Sequence, residues 1–178
     1  MDWVAYLENC KAHVSQLTVA MDGSCNGLQN FAAMLKHEET ARAVNLTPSE
    51  VPSDIYQEVA DKVRPVVEAL AVSDPRPDSV ILADGEARTA IEYADEDKTV
   101  ISKEERDQTA ALWDVLAARW IKDHITRKLV KRNVMTYPYS VTLYGMRDQL
   151  VEVLLDMHGD GKTSYPIEHV GKVAGMLK

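Results

Sequence analysis

Along most of this chain, apolar positions recur with a helical period, and polar and turn-forming residues fill the gaps. Between Asp2 and Val14, the residues Trp3, Val4, Leu7 and Cys10 fall on one side, so a short helix is predicted there. "QLTVAMDGSCNG" then switches to β-branched and apolar residues that stop at Asp22-Gly23, the pattern of a buried strand running into a turn. A helix is expected to restart over Gly27–Leu35.

In "LTPSEVPSDIYQEVADKVRPVVEALA", Thr47 is read as N-cap, Pro48 as the first helical residue and Glu50 as the third residue after the cap. Ile55, Val59, Val63 and Val66 or Val67 line one face of this helix. Pro65 is expected to kink or break it, and "SDPRPDS" closes it.

From Ser73 to Thr99 large apolar residues are scarce outside "VILA" and "AIEYA", which suits a mobile surface excursion with one hairpin at most. Ser102 and Glu105 form a capping box, and Ala110, Leu112, Trp113, Leu116, Ala117 and Trp120 place a helix that packs inward. Another helix is expected from near Thr126, a further one over Met146–Met157, then a Gly-rich turn at "HGDGKTSYP" and a last helix opening near Pro166.

Composition adds that 178 residues, 46% of them hydrophobic, suffice for one globular core. No run of about 18 apolar residues is present, and the start lacks a secretory pattern, so a soluble intracellular protein without a membrane partner is expected. Cys10 and Cys25 are read as reduced thiols. Neither they nor His13, His37, His124, His158 and His169 have metal-ligand spacing.

Charge changes the picture more. The net charge of -8 argues against a surface that coats nucleic acid. Yet Arg127, Lys128, Lys131 and Arg132 crowd into six residues, whereas Asp74–Asp107 holds eleven acids against five bases. Positive charge is therefore local.

Residues four apart on a helix differ by only about 40° in direction, so Arg127, Lys131, Met135 and Tyr139 share a face. Two cations, a thioether and an aromatic hydroxyl in that order suit a ligand with a polyanionic end and a flat, sugar-bearing end. Arg132 is expected to add a third cation. The same cations could instead form a solvated helix face. Asp22, at a strand end beside Gly23, is a candidate ligand for magnesium, which prefers hard oxygens, and is equally the first half of a common turn pair. "HGDGKT" fails as a phosphate loop because Asp156 stands where Gly is needed, and His158 and Ile167 exclude a calcium loop from Asp156.

"DGSCNGLQNFAAML", Asp22–Leu35, resembles motif A of the single-subunit RNA polymerases of bacteriophages and mitochondria, and "TRKLVKRNVMTYPYS", Thr126–Ser140, resembles their motif B. "RAVNLTPSEVPSDIY", Arg42–Tyr56, is also similar to that family, and the match covers roughly Thr18–Val67 and Leu112–Gly145 in the family's order.

The resemblance implies a mainly α fold with a small β component, part of a right-hand polymerase. Residues 1–47 would be palm with motif A, and 48–178 fingers with the motif B helix at about 126–139 and an acidic excursion at about 73–100. It implies two-metal nucleotidyl transfer that adds ribonucleotides to an RNA 3′ end on a DNA template. Asp22 would be one of two catalytic metal-binding aspartates, with the Gly23 carbonyl holding the same Mg2+. Arg127 and Lys131 would grip the triphosphate, Lys131 would also protonate the pyrophosphate leaving group, and Arg132 would be a weaker partner. Met135 would lie on the nucleotide face, and Tyr139 below the base would help to tell ribose from deoxyribose.

The partners so implied are ribonucleoside triphosphates, DNA template, RNA transcript and the remainder of a polymerase chain. The setting would be the cytoplasm of a phage-infected bacterium rather than a mitochondrion.

Two positions depart from the family: Asn30 stands where His is usual and Ser140 where Gly is usual, while Pro138 is common at its place in phage members and should end the regular hydrogen bonding. The His-Asp-Ser hairpin of motif C, which carries the second aspartate, has no counterpart. The chain is therefore expected to be an internal palm-and-fingers piece that does not polymerise alone. A non-catalytic nucleotide- or protein-binding remnant, and a helical interaction protein whose basic helix faces only water, are the other two readings.

Overall fold

Ser102 opens the central helix of the molecule: its hydroxyl accepts the Glu105 N–H, and the Glu105 carboxylate accepts the Ser102 N–H at 2.9 Å. The Ser102 N–H, and the Ser102 hydroxyl donating to the same carboxylate at 3.1 Å, hold the Glu105 carboxyl below its usual range. The structure, a computed structural model, describes residues 7–8, 11–12, 14, 18, 22–94, 102–163 and 165–177.

In chain order the helices are α1 (Asn26–Leu35), α2 (Glu38–Ala43), α3 (Ile55–Ala71), α4 (Asp78–Ala94), α5 (Lys103–Ile121), α6 (Arg127–Thr136), α7 (Leu143–Gly159) and α8 (Val170–Leu177). Among the described residues there is no strand, so the chain is mainly α. Most of the helix predicted over Asp2–Val14 and nearly all of the strand before Asp22 lie outside the described residues.

Helix α5 packs against α3, α4 and α8, while α7 bridges α6 and α8. The largest core joins Ala60 and Val67 of α3, Ala117 and Ile121 of α5, Leu129 of α6 and Leu154 of α7. A second core gathers Ile81, Trp113, Val115 and Leu116.

The second core corrects the reading of the acidic stretch. Residues 78–94 form no hairpin but a 17-residue helix laid on α5. Its contact face is the narrow series Ile81, Gly85 and Thr89, four apart, with Leu82 beside it against the same core. A Cβ on Gly85 would come within 3.3 Å of the Trp113 ring, and Trp113 Nε1 donates to Thr89 Oγ1 at 3.0 Å. The acids point elsewhere: Asp84 pairs with Arg76 and Arg88.

Helix α3 also begins later than predicted, at Ile55 with Asp54 as N-cap. A helix opened at Pro48 would place Pro52 where a backbone donor is needed and where its ring meets the preceding turn. Instead the Asn45 side chain clamps the loop, accepting from Ser53 N at 2.7 Å and donating to Ser53 O at 2.8 Å. Pro65 does not break α3; it lies on the exposed face, where the carbonyl it leaves without a helical donor can meet water. The remaining predicted helices are present, the α6 region beginning after Thr126 as expected and the last helix opening through a 3-10 turn at Ile167–His169. No helix among the described residues is long and apolar enough to cross a membrane.

Candidate functional site

Helix α6 buries Leu129 and Asn133 and turns Arg127, Lys131 and Met135 outward. Arg64 of α3 fixes the approach to its first turn by donating to the Ile125 carbonyl at 3.1 Å. At the other end Pro138 converts the chain to a 3-10 turn, Tyr137–Tyr139, closed by Ser140 with φ 61°. That left-handed conformation suits glycine better than serine, which gives the departure at Ser140 a backbone meaning.

Facing α6 is the turn that precedes α1. The Asp22 carboxylate is exposed, its Oδ1 accepting from Gly23 N at 2.9 Å and from Asn26 Nδ2 at 3.5 Å. Gly23 lies under two side chains: an added Cβ would fall 2.1 Å from Asn26 Oδ1 and 2.6 Å from Gln29 Oε1. Gln29 cannot simply swing away, because its Nε2 donates to the Val44 carbonyl at 2.8 Å.

Gly27 joins the two motifs physically. A Cβ there would lie 2.9 Å from Pro138 Cβ and 3.1 Å from Tyr139 Cε2. Gly27→Ala is therefore expected to lower stability by about 1–3 kcal/mol through overpacking. Urea unfolding checks this, and a variant as stable as the wild type would show that the turn after α6 yields freely.

A third wall comes from the start of α3. Asp54 caps the helix through Oδ1, which accepts the N–H of Tyr56 at 3.1 Å and of Gln57 at 3.3 Å, while Oδ2 accepts Arg127 Nε–H at 2.5 Å. Burial pushes the Asp54 carboxyl up, but the Arg127 bond and charge, together with the two N–H groups, hold it below the usual carboxylate range.

Tyr56 packs with Cys25 and Val44 under this wall, in a cluster that ties α1, α2, α3 and α6 together. Burial, then the neighbouring Cys25 thiol, push its hydroxyl up to about 12, so it stays neutral at physiological pH. Its ring lies 5.0 Å from the Arg127 guanidinium and 5.8 Å from Lys131 Nζ, a shared platform for both cations.

These walls enclose a cavity of about 580 Å³, and Asp22, Gly23, Asp54, Tyr56, Arg127, Lys131, Met135 and Tyr139 all reach it. Thus the carboxylate of one motif and the cations of the other, more than a hundred positions apart in sequence, share one space. Arg132 does not. It stands 100° round the helix from Lys131 and pairs with Glu152 of α7.

The sequence reading missed Asp54 and Tyr56, although both lie in the quoted stretch Arg42–Tyr56. The one local signal was an Asp three residues ahead of Gln57, a good N-cap. Among the histidines, His37 caps α2 by accepting the Thr40 N–H, and His169 stacks on Trp120; no group of three possible metal-ligating side chains occurs among the described residues.

As a metal site, Asp22 and the Gly23 carbonyl are hard oxygen donors of the kind Mg2+ takes, and one Asp22 oxygen already serves Gly23 N and Asn26. They fit in kind and supply only part of a coordination shell. A magnesium ion that keeps water and phosphate oxygens is compatible with so few protein ligands.

A family model for DNA-dependent RNA polymerase matches residues 1–176. The chain is 38% identical over 136 residues to T7 RNA polymerase of Escherichia phage T7, covering 76% of this chain and 14% of that protein. It is 34% identical over 161 residues to the DNA-directed RNA polymerase of Enterobacteria phage K11, covering 90% and 16%. With the mitochondrial DNA-directed RNA polymerase of Mus musculus it shares 32% over 166 residues, covering 93% and 10%. The chain thus spans a small part of the length of each of these relatives.

Proposed function

The chain belongs to the DNA-dependent RNA polymerase family, and from that premise we propose that its cavity receives a ribonucleoside triphosphate for nucleotidyl transfer to an RNA 3′ end. One observation carries the reading: Asp22 reaches the same cavity as Arg127 and Lys131.

Phosphoryl transfer is accelerated mainly by positioning and by neutralising charge, and this wall chemistry does both. Arg127 and Lys131 take the phosphates, held side by side over the Tyr56 ring. Lys131 carries no ion pair among the described residues, so its ammonium is free to approach the leaving phosphate and hold a proton at Nζ for it. Met135 and Tyr139, both partly exposed at the far end of the face, offer an apolar edge and a hydroxyl to base and ribose. Arg132, held by Glu152, is left out.

Asp22 and the Gly23 carbonyl would hold Mg2+, which supplies charge neutralisation at the phosphates when bound. The palm assignment of residues 1–47 and the fingers assignment of 48–178 follow from the same family reading. DNA template, RNA transcript and further polymerase chain are the partners it calls for, and phage relatives favour the cytoplasm of an infected bacterium over a mitochondrion.

Calorimetric titration of a ribonucleoside triphosphate into the 178-residue chain tests the reading. Binding is expected to tighten about tenfold when Mg2+ is added, and Asp22→Asn is expected to remove that increment while leaving metal-free affinity within about twofold. A wild-type chain that ignores the nucleotide with and without Mg2+ would overturn it. On a primed template with Mg2+ the chain alone is expected to show no extension, because among the described residues no second carboxylate of the family's motifs joins Asp22 in the cavity. Extension that Asp22→Ala abolishes would contradict this and place full turnover in these residues.

A further inference from the structure

Asp54 faces the cavity with a charge opposite to what a phosphate site wants. It does so by construction: one oxygen is pinned by two N–H groups at the start of α3, and the other takes the Nε–H of Arg127. Resting on the nucleotide reading above, we propose that Asp54 is an internal competitor for Arg127. Its carboxylate occupies the guanidinium while the cavity is empty, is displaced by the incoming phosphates, and takes the guanidinium back when they leave.

Three features support exchange rather than a fixed bridge. Both side chains are nearly half exposed, 46% for Arg127 and 42% for Asp54, and ion pairs this open to water are weak. The partners differ in freedom: Asp54 is tied to a helix end, whereas Arg127 is a long side chain at the first turn of α6. The Tyr56 ring, 5.0 Å from the guanidinium, offers a surface along which Arg127 can shift without entering bulk water.

Charge gives the competitor its purpose. The four charged lining groups, Asp22, Asp54, Arg127 and Lys131, sum to zero. A polyanion therefore gains full use of Arg127 only by driving it off Asp54, and it also meets the repulsion of the carboxylate it displaces. Affinity for a triphosphate and for the pyrophosphate product is lowered together. A site that must discharge a polyanion at each cycle benefits from that restraint, because tight binding of product would slow release.

The cap and the charge can be separated by chemistry. Asparagine and serine cap helices about as well as aspartate but carry no charge. The probe is inorganic tripolyphosphate, titrated calorimetrically into the 178-residue chain, with melting followed by circular dichroism. Asp54→Asn is expected to keep the wild-type melting temperature within about 2 °C and to bind tripolyphosphate about three- to fivefold more tightly, the scale of one exposed ion pair. Asp54→Ser should behave alike and serves if the asparagine variant folds poorly.

In an Arg127→Ala background the gain from Asp54→Asn should shrink below about twofold, because the contested group is gone. Wild-type and Asp54→Asn chains of equal affinity, with Arg127→Ala weaker than both, would sink the competitor while sparing the nucleotide site. A gain that persists unchanged without Arg127 would also sink it, since Asp54 would then act only as a repulsive charge. If no variant binds tripolyphosphate, both proposals fall.

Discussion

Alanine at both Arg127 and Lys131 is expected to weaken ribonucleoside triphosphate binding about a hundredfold, a larger loss than any other pair of exposed side chains should give. Hydrogen bonds to charged groups contribute about 1.5–3 kcal/mol each when desolvated. Both cations here keep contact with water, so about 1–1.5 kcal/mol apiece is the better scale, and two of them approach two orders of magnitude. The fold should survive, because neither side chain is in a core and their shared contact with Tyr56 amounts to about 0.5–1 kcal/mol each at exposed sites.

The informative control is Arg132→Ala. Counting cations along the sequence makes it nearly equivalent to its neighbours, whereas its pairing with Glu152 takes it away from the cavity. Nucleotide titration at one fixed salt concentration should show less than a threefold effect. If Arg132→Ala proved as damaging as Arg127→Ala, binding would be a diffuse response to basic charge and the shared cavity would be irrelevant. The wild-type affinity should also fall steeply with salt, as for any contact between polyanion and exposed cations.

What local pattern could reveal here was set by the reach of each interaction. The Ser102–Glu105 box spans four residues and was readable; so was the four-member series from Arg127 to Tyr139, which the structure keeps on one side of α6 and its following turn. The approach of Asp22 to that series came from resemblance to a family, since no period links positions so far apart. Asp54 illustrates the opposite case. Its cap role is local and its bond to Arg127 crosses 73 positions, so its place in the cavity appears only in three dimensions.

Helix α4 was hidden for a different reason. Gly85 and a high density of acids are signs of loop, yet the glycine is there to let Trp113 approach, Asp84 is taken up by Arg76 and Arg88, and Asp78 by Arg119. A stripe of Ile81, Gly85 and Thr89 with Leu82 beside it is too narrow for a hydrophobic period to announce. The delayed start of α3 likewise depends on Asn45 gripping Ser53 eight residues on, a side-chain clamp that outweighs a good capping sequence at Thr47.

Arg119→Ala is expected to lower the unfolding free energy by about 3 kcal/mol, and the melting temperature by about 6–12 °C. This side chain, 18% exposed, sits in the last turn of α5 and donates to four acceptors on the segment that links α3 to α4. Its Nε reaches the Ala71 carbonyl at 2.8 Å, Nη1 the Arg76 carbonyl at 2.9 Å and Asp78 at 2.5 Å, and Nη2 the Asp74 carbonyl. Ala71 ends α3, so one of these is a helix-terminal carbonyl without a partner in the next turn.

Removing the guanidinium would leave three part-buried carbonyls unpaired, and lysine, with a single rotating ammonium, should restore less than half of the loss. Three of the four acceptors are uncharged, so the deficit should persist in about 0.5 M salt, where exposed ion pairs are screened. Acid acts on the same loop through another group. The Arg76 side chain and N–H, with smaller help from the Arg119 charge, hold Asp74 at about 2 rather than 3.8, so its contribution is complete above pH 3.8 and is lost as pH falls toward 2. Chemical denaturation at neutral pH, with and without salt, decides the matter. A deficit under about 1 kcal/mol, or one that salt erases, would reduce Arg119 from the tie between α3, α4 and α5 to an ordinary surface ion pair.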